Sequence, residues 1–155
     1  MKKTNVLRIL ESNKISFEVF DYEIDEDKLD AVSVAEKINA DPEQVFKTLV
    51  AVGSDNNHYI FIIPGNYELN LKKAATAAGI KKVELIKVKD LLEITGYIRG
   101  GCSPIGMKKL FPTFIDESAI LFEKIYVSAG VRGMQIFINP VELRNITNAN
   151  LMDLL

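Results

Sequence analysis

Residues 46–64, FKTLVAVGSDNNHYIFIIP, decide the fold of this 155-residue chain. Two stretches rich in β-branched and aromatic residues, 46–53 and 58–64, flank the four turn-forming residues Ser-Asp-Asn-Asn at 54–57. Such a cluster between two apolar stretches is typical of a β-hairpin. The sequence therefore predicts two antiparallel strands here, around which the other elements can be placed.

Short elements precede the hairpin. Apolar residues recur at helical spacing behind Thr4, which predicts a helix ending near Asn13, and the alternation in residues 15–22 predicts a strand. The spacing in SVAE, from Ser33, is that of a capping box, and DPEQ, from Asp41, repeats this pattern with proline at the first helical position. Two short helices are predicted there.

Helices and strands also alternate irregularly after the hairpin. We predict helices from Asn70 to Gly79, over 89–95 and after Asn139. We predict strands near 81–86, 110–116, 124–130 and 134–139, with a loop at 96–106 and a turn at 130–133. Because a regular strand–helix rhythm is missing, we expect a mixed α/β fold: a twisted mixed sheet or partly closed barrel surrounded by short helices. One domain should span residues 1–155.

Composition excludes several classes of protein. The chain is 48% hydrophobic with a formal net charge of −2, so a strongly basic nucleic-acid protein is not expected. One cysteine cannot form an internal disulfide, and one cysteine with one histidine cannot form a zinc site, so no metal is expected. No G-x-G-x-x-G motif for binding a dinucleotide follows a strand, so no cofactor is expected. No signal peptide or membrane-spanning run is visible, which indicates a cytoplasmic protein without membrane association.

Positive charge is concentrated in the middle of the chain. Residues 72–109 contain nine lysine and arginine residues against three acidic ones. Two interpretations remain open, a solvated face that keeps the protein soluble and a surface that follows nucleic-acid phosphates.

A few polar residues stand where chemistry is conceivable. Lys47 lies in an apolar strand, so its ammonium either faces a cleft or extends outward into solvent. The loop at Gly100-Gly101 offers closely spaced amides that can hold an oxyanion. Cys102 can be a nucleophile or a small apolar filler, but His58 is the only imidazole and lies in another part of the chain. Conventional acid–base catalysis is therefore not expected.

Four stretches carry a resemblance to a known family. They are VFKTLV at 45–50, LNLKKAA at 69–75, GYIRGGCSPIGMKK at 96–109 and YVSAGVRGMQIFINPVEL at 126–143. In order and nearly along the whole chain, they resemble the YbaK/EbsC family of aminoacyl-tRNA deacylases, which is related to the editing domain of bacterial prolyl-tRNA synthetases. The GGCSPIGMKK run is similar to the YbaK branch, which removes cysteine from the tRNA for proline.

The resemblance implies a function and a set of site residues. It implies trans-editing of Cys-tRNA(Pro), with prolyl-tRNA synthetase as partner, by attack of the substrate thiol on its own ester. Holding thiol and carbonyl together would exploit effective molarities of about 10⁵ M or more. It matches Lys47 and Gly101 to catalytic positions. Substrate contacts are expected from Tyr22, Thr48, Gly100, Ser103, Ser128 and Arg132, and tRNA contacts from Lys72, Lys73, Lys81, Lys82, Lys108 and Lys109.

The sequence departs from the family at one position and leaves alternatives open. Many relatives have an aromatic residue followed by glycine before the helix predicted at Ser33, whereas this chain has Asp30-Ala31. The alternatives are a deacylase for another aminoacyl-tRNA such as Ala-tRNA(Pro), a non-catalytic binding module, and a redox protein using Cys102.

Overall fold

The computed structural model describes residues 3–155. The strands are β1 (Phe17–Asp21), β2 (Phe46–Gly53), β3 (His58–Pro64), β4 (Val83–Leu85), β5 (Thr113–Asp116), β6 (Ile125–Ser128), β7 (Met134–Ile138) and β8 (Asn150–Met152). The helices are α1 (Asn5–Ser12), α2 (Ala31–Lys37), α3 (Leu71–Ala78), α4 (Leu91–Thr95) and α5 (Pro140–Thr147), with short 3-10 turns at Val88–Asp90 and Glu117–Leu121.

The strands of residues 3–155 form two sheets. The larger has the order β4-β2-β3-β5-β8, with β5 parallel to both of its neighbours and the other pairs antiparallel; the smaller, β1-β7-β6, is antiparallel. A parallel bridge between Val45 and Tyr126 joins them. The mixed α/β class is confirmed, but the β-structure is divided into two sheets and the partly closed barrel is not confirmed.

The predicted hairpin lies in the middle of the larger sheet, and both of its faces are buried. Ile60 and Ile62 point into the main core, which the smaller sheet and α1 complete, whereas Phe61 and Ile63 pack on the side covered by α3. Alternate residues of a strand face opposite sides of the sheet, so a strand covered on both sides must be apolar throughout. This explains why β3 is apolar from Tyr59 onward.

Local capping explains most of the helix ends. Asn70 accepts hydrogen bonds from the amides of the first turn of α3, and Gly79, with a φ of 72°, ends that helix as predicted. Asn139 caps α5 in the same way, and Thr4 caps α1. No helix within residues 3–155 has the length and apolar character needed to cross a bilayer.

One predicted helix begins earlier than expected, and the helix predicted at 41–44 is replaced by a turn. Helix α2 begins before Ser33, because the carboxylate of Asp30 is the cap and accepts the Ser33 amide at 3.1 Å. Residues 41–44 form a turn closed by a hydrogen bond from the Gln44 amide to the Asp41 carbonyl, not a helix. The chain must become extended immediately afterwards, since Val45 pairs with Tyr126 and Phe46 begins β2.

Strand β8 was not predicted. It has three residues and pairs in parallel with β5 at the edge of the larger sheet. A strand this short carries no usable alternation in its sequence, so its pairing follows from where α5 delivers the chain.

Candidate functional site

A cleft of about 320 Å³ opens beside the first half of β2. Strand β4 pairs with β2 only along Ala51–Gly53, so the preceding residues of β2 border the cleft instead of another strand. The opposite wall comes from Leu29–Ala31 and the loop at Arg99–Gly100, and the smaller sheet supplies Ser128 and Gln135. The two sheets and the 96–106 loop therefore converge on one site.

Lys47 lines this cleft and is half-buried. Its Nζ donates a hydrogen bond to the carbonyl of Gly65 at 3.2 Å, and within residues 3–155 it forms no ion pair. Burial lowers the pKa of the Lys47 ammonium, while the carboxylates of Glu68 and Asp30 act in the opposite direction. Of the two orientations predicted for Lys47, the structure has the one that faces the cleft.

Gly65 closes the end of the cleft where α2 meets the hairpin. A Cβ atom built on Gly65 would stand 2.4 Å from the Cβ of Ala31 and 2.8 Å from the carbonyl oxygen of Val45. Its amide donates to the same Val45 carbonyl at 2.7 Å. Only glycine fits at this position, next to the carbonyl that Lys47 binds.

Two residues that line the cleft each have a polar atom with no hydrogen-bond partner within residues 3–155. These atoms are the hydroxyl of Thr48 and the side-chain oxygen of Gln135, both shielded from solvent. Gln135 is only 5% exposed and stands directly opposite Ser128 in the pairing of β6 with β7. A buried polar group left unpaired costs about 1–3 kcal/mol, so a ligand that draws either side chain toward the cleft gains from the missing hydrogen bond.

Asp30 brings a negative charge to the cleft. Both of its oxygens accept hydrogen bonds from Ser33, one from the hydroxyl at 2.7 Å and one from the amide. The hydroxyl bond is the main reason that the pKa of the Asp30 carboxyl lies below its usual value, and Arg99 adds to the effect. A carboxylate held in this state is a weak base.

The glycine loop contributes differently from the prediction. Gly100 lines the cleft with a φ of 86°, a left-handed conformation that favours glycine. The amide of Gly101, expected to stabilise an oxyanion, instead donates to the Ile98 carbonyl at 3.0 Å. Ser103 is fully buried and accepts the Ile105 amide, so it is a loop residue rather than a cleft residue.

Two other expected substrate contacts lie outside the cleft. The Tyr22 ring lies beside the Lys37 ammonium, 5.8 Å from it, and the Tyr22 amide donates to the Gly133 carbonyl. Arg132 Nε donates to the Arg99 carbonyl at 2.8 Å and therefore supports the loop from behind. Pairing of β1 with β7 brings Tyr22 next to Gly133, and neither Tyr22 nor Arg132 lines the cleft.

No conventional nucleophile–base pair is present in the cleft residues. Cys102 lines the cleft, but burial raises the pKa of its thiol to about 12, so it is a neutral thiol at physiological pH. The hydroxyl of Ser128 accepts the Gly130 amide at 3.2 Å. His58 lies at the far end of the hairpin, where it packs against Phe111. Cys102 is therefore better described as a filler than as a nucleophile.

The six expected tRNA-binding lysines lie in two groups. Lys72, Lys73, Lys81 and Lys82 belong to α3 and the approach to β4, whereas Lys108 and Lys109 follow the glycine loop. Three are engaged locally: Lys73 with Asp153 and the Leu155 carbonyl, Lys82 with Glu84 at 3.5 Å, and Lys108 with the Glu93 carbonyl. Within residues 3–155 no group of three or more His, Cys, Asp or Glu side chains is arranged to hold a metal ion.

The cleft contains three polar side chains that were not predicted to be site residues. Asp30 was noted only as a departure from the family, and Arg99 only as part of a basic region. Gln135 gave a usable signal, because it is a polar residue in the otherwise apolar strand MQIFI, just as Lys47 is in FKTLV. Isolated polar residues in buried strands therefore mark two walls of one site, although only Lys47 was selected from the sequence.

These features define a mixed α/β protein with a polar cleft that combines an ammonium, a guanidinium and a carboxylate with unpaired hydrogen-bonding atoms. Residues 25–146 match the family model of the aminoacyl-tRNA editing domain. The chain belongs to this family.

Individual relatives agree with this assignment. The chain is 48% identical over 153 residues to the Enterococcus faecalis protein named "Putative Cys-tRNA(Pro)/Cys-tRNA(Cys) deacylase EbsC", covering 99% of this chain and 93% of that protein. It is 31% identical over 99 residues to the proline–tRNA ligase of Shouchella clausii, covering 64% of this chain and 17% of the ligase. The YbaK/EbsC resemblance is confirmed.

A solved structure shows the same fold. It is described as "a putative trans-editing enzyme for prolyl tRNA synthetase", and it superposes with a TM-score of 0.83 at 25% identity. The match covers 99% of this chain and 98% of that structure.

Proposed function

We propose that this protein is a trans-editing deacylase that removes cysteine from mischarged tRNA(Pro), and from tRNA(Cys), in the cytoplasm. Membership of the editing family and 48% identity to EbsC support the substrate class. The observation that carries the mechanism is the cleft itself, whose described residues offer positioning groups and charge but no side chain suited to activating a nucleophile.

The nucleophile is then supplied by the substrate. The thiol sulfur of the cysteinyl group attacks its own carbonyl carbon, a C–S bond forms, and the bond from that carbon to the ribose oxygen breaks. The proton lost from sulfur goes to the leaving ribose oxygen. The product is a four-membered cyclic thioester, which water opens to free cysteine. An alanyl or prolyl ester has no thiol and cannot follow this route.

The residues of the cleft serve this step by orientation and electrostatics. Lys47 is positioned to bind either the carbonyl oxygen as it gains negative charge or the terminal adenosine that carries the ester. Thr48 and Gln135 supply hydrogen bonds that fix the aminoacyl group. Fixed donors in a cleft partly closed to water stabilise developing charge more strongly than water does, because they need no reorganisation.

The tRNA is held outside the cleft by exposed lysines such as Lys72, Lys81 and Lys109. Contacts to a few phosphates give weak binding without sequence discrimination. Prolyl-tRNA synthetase is the partner that supplies tRNA specificity, by holding the body of tRNA(Pro) while the protein acts at the acceptor end.

A panel of aminoacylated tRNAs tests the proposal. The purified protein is mixed with cysteinyl-, S-methylcysteinyl-, alanyl- and prolyl-tRNA(Pro), and loss of the ester is followed with time. We expect rapid loss of the cysteinyl ester alone. S-Methylcysteine is the matched control, since it keeps the shape and the sulfur but blocks the thiol.

Each other outcome identifies an alternative. Equal cleavage of alanyl-tRNA or of the S-methyl ester would contradict substrate-assisted attack. Binding of cysteinyl-tRNA without cleavage would indicate a non-catalytic binding module. Repeating the assay on Cys-tRNA(Cys), with and without the synthetase, tests whether the synthetase supplies tRNA specificity. Strong discrimination between Cys-tRNA(Pro) and Cys-tRNA(Cys) by the isolated protein would refute this.

A further inference from the structure

A second cavity, of about 260 Å³, lies next to the cleft and shares a wall with it that includes Thr48 and Arg99. The rest of this cavity is lined mainly by apolar side chains on and after β4, namely Leu85, Ile86, Val88 and Leu91. We refer to it as the β4 groove. It differs from the cleft in having no unpaired buried polar atom beyond the shared Thr48 hydroxyl among the described residues.

The β4 groove exposes apolar surface in a charged part of the chain. Val88 is 62% exposed and Leu85 49% exposed. Val88 stands between Lys87 and Lys89, both of which are exposed and form no ion pair within residues 3–155. An apolar face beside unpaired ammonium groups matches a nucleotide, which has a flat base and an adjacent phosphate.

We propose that the β4 groove binds the adenine base of the 3′-terminal nucleotide that carries the aminoacyl ester. This inference rests on the proposed function. The base and the aminoacyl group are attached to one ribose, so a site for the aminoacyl group requires a site for the base immediately next to it. The β4 groove meets this requirement, because it shares a wall with the cleft that contains Lys47, Thr48 and Gln135.

The lining of the β4 groove suits this ligand. Val88 and Leu85 offer apolar contact to a face of the base, and the guanidinium of Arg99, which borders both cavities, is a planar cation that stacks on nucleobases. Lys87 and Lys89 flank Val88 in the chain, so their ammonium groups are the candidates for binding the 5′-phosphate of the same nucleotide. The groove thereby orients the ribose so that the ester points into the cleft.

Binding of a non-hydrolysable analogue tests this inference. The probe is 3′-deoxyadenosine 5′-phosphate with cysteine joined through a 3′-amide, and its partner is the same molecule with hydrogen in place of adenine. Dissociation constants are measured by calorimetry for the wild type, for Leu85→Ser combined with Val88→Ser, and for Leu121→Ser. Leu121 is 81% exposed and lines neither cavity, so it is the matched control.

We expect the double variant to bind the adenine-containing probe about 10-fold more weakly than the wild type, which is within the range for losing contacts to one base. It should bind the abasic probe as the wild type does, and Leu121→Ser should change neither constant. Melting temperatures establish that all variants are folded. Because both substituted side chains are largely exposed, Val88→Ser alone remains informative if the double variant is unstable.

Three results would overturn the proposed base site, and they differ from a failure of the proposed function. Equal weakening of both probes, no weakening of either, or no preference of the wild type for the adenine-containing probe overturns the β4 groove as a base site. Hydrolysis of cysteinyl-tRNA by the wild type is measured separately. If hydrolysis fails while the groove variants still weaken only the adenine-containing probe, the proposed function is wrong and the nucleotide site stands.

Discussion

Replacing Lys47 by methionine separates the contribution of the ammonium to activity from its contribution to stability. Methionine keeps an unbranched apolar stem of similar length while removing the charge and the hydrogen bond to the Gly65 carbonyl. The freed carbonyl borders an open cleft and can be hydrated, so it does not become a buried unpaired acceptor.

The effect on stability should be small. Losing one hydrogen bond from a charged group costs about 1.5–3 kcal/mol, but the substitution also removes the desolvation that lowers the pKa of Lys47. We expect the free energy of unfolding to change by about 1 kcal/mol or less, which corresponds to a shift in Tm of about 2–4 °C. Activity should fall about 10²–10³-fold, as it does when one donor to a developing oxyanion is removed.

The pH dependence of stability gives a second signature. The pKa of Lys47 in the folded protein lies below its usual value of 10.5. At a pH between the folded-state pKa and 10.5, the unfolded chain therefore binds more protons than the folded protein does. Stability of the wild type therefore gains a contribution from Lys47 as pH rises through this window, and Lys47→Met removes it. If activity requires the charged form of Lys47, the activity of the wild type should begin to decline at a pH below the 10.5 of an ordinary lysine.

The assay combines single-turnover hydrolysis of Cys-tRNA(Pro) with thermal unfolding followed by circular dichroism. Lys124→Met is the control, because Lys124 lies outside the cleft, 3.4 Å from Glu18. Retention of more than about a tenth of wild-type activity in Lys47→Met would refute a role in charge stabilisation. Lys47→Arg should also be poor, since a planar guanidinium does not replace a compact ammonium.

Three further predictions concern other parts of the molecule. Cys102→Ser should keep most of the activity, and alkylation of Cys102 by iodoacetamide at pH 7 should be slow, because its thiol has a pKa of about 12; rapid alkylation would contradict this. Asp116→Ala should lower stability by about 2–4 kcal/mol, measured by urea unfolding, since the buried carboxylate accepts the amides of Leu154 and Ser118; a loss below 1 kcal/mol would be inconsistent with that role. Lys81→Gln should make the log–log salt dependence of tRNA binding shallower by about 0.7–0.9 if this lysine contacts one phosphate, and an unchanged slope would exclude that contact.

The local elements of this protein were predictable because short-range interactions specify them. The hairpin at 46–64 combines a cluster of turn formers with two β-rich stretches, and Asn70 and Gly79 cap α3 through hydrogen bonds to residues within one turn. Where a long-range contact competes, local rules fail. Residues 41–44 have the composition of a helix start, yet the pairing of Val45 with Tyr126 makes the chain extended.

Local sequence was enough to predict the family, the mixed α/β class and the position of Lys47 within an apolar strand, because each depends on residues close together in the chain. Which polar groups share a cleft depends on how the chain folds in three dimensions. Asp30, Arg99 and Gln135 come from an N-cap, a loop and a strand of the other sheet, and Gly100 rather than Gly101 turns toward them. The physical reason is that a side chain's direction depends on strand register and loop closure, which are fixed by partners distant in sequence.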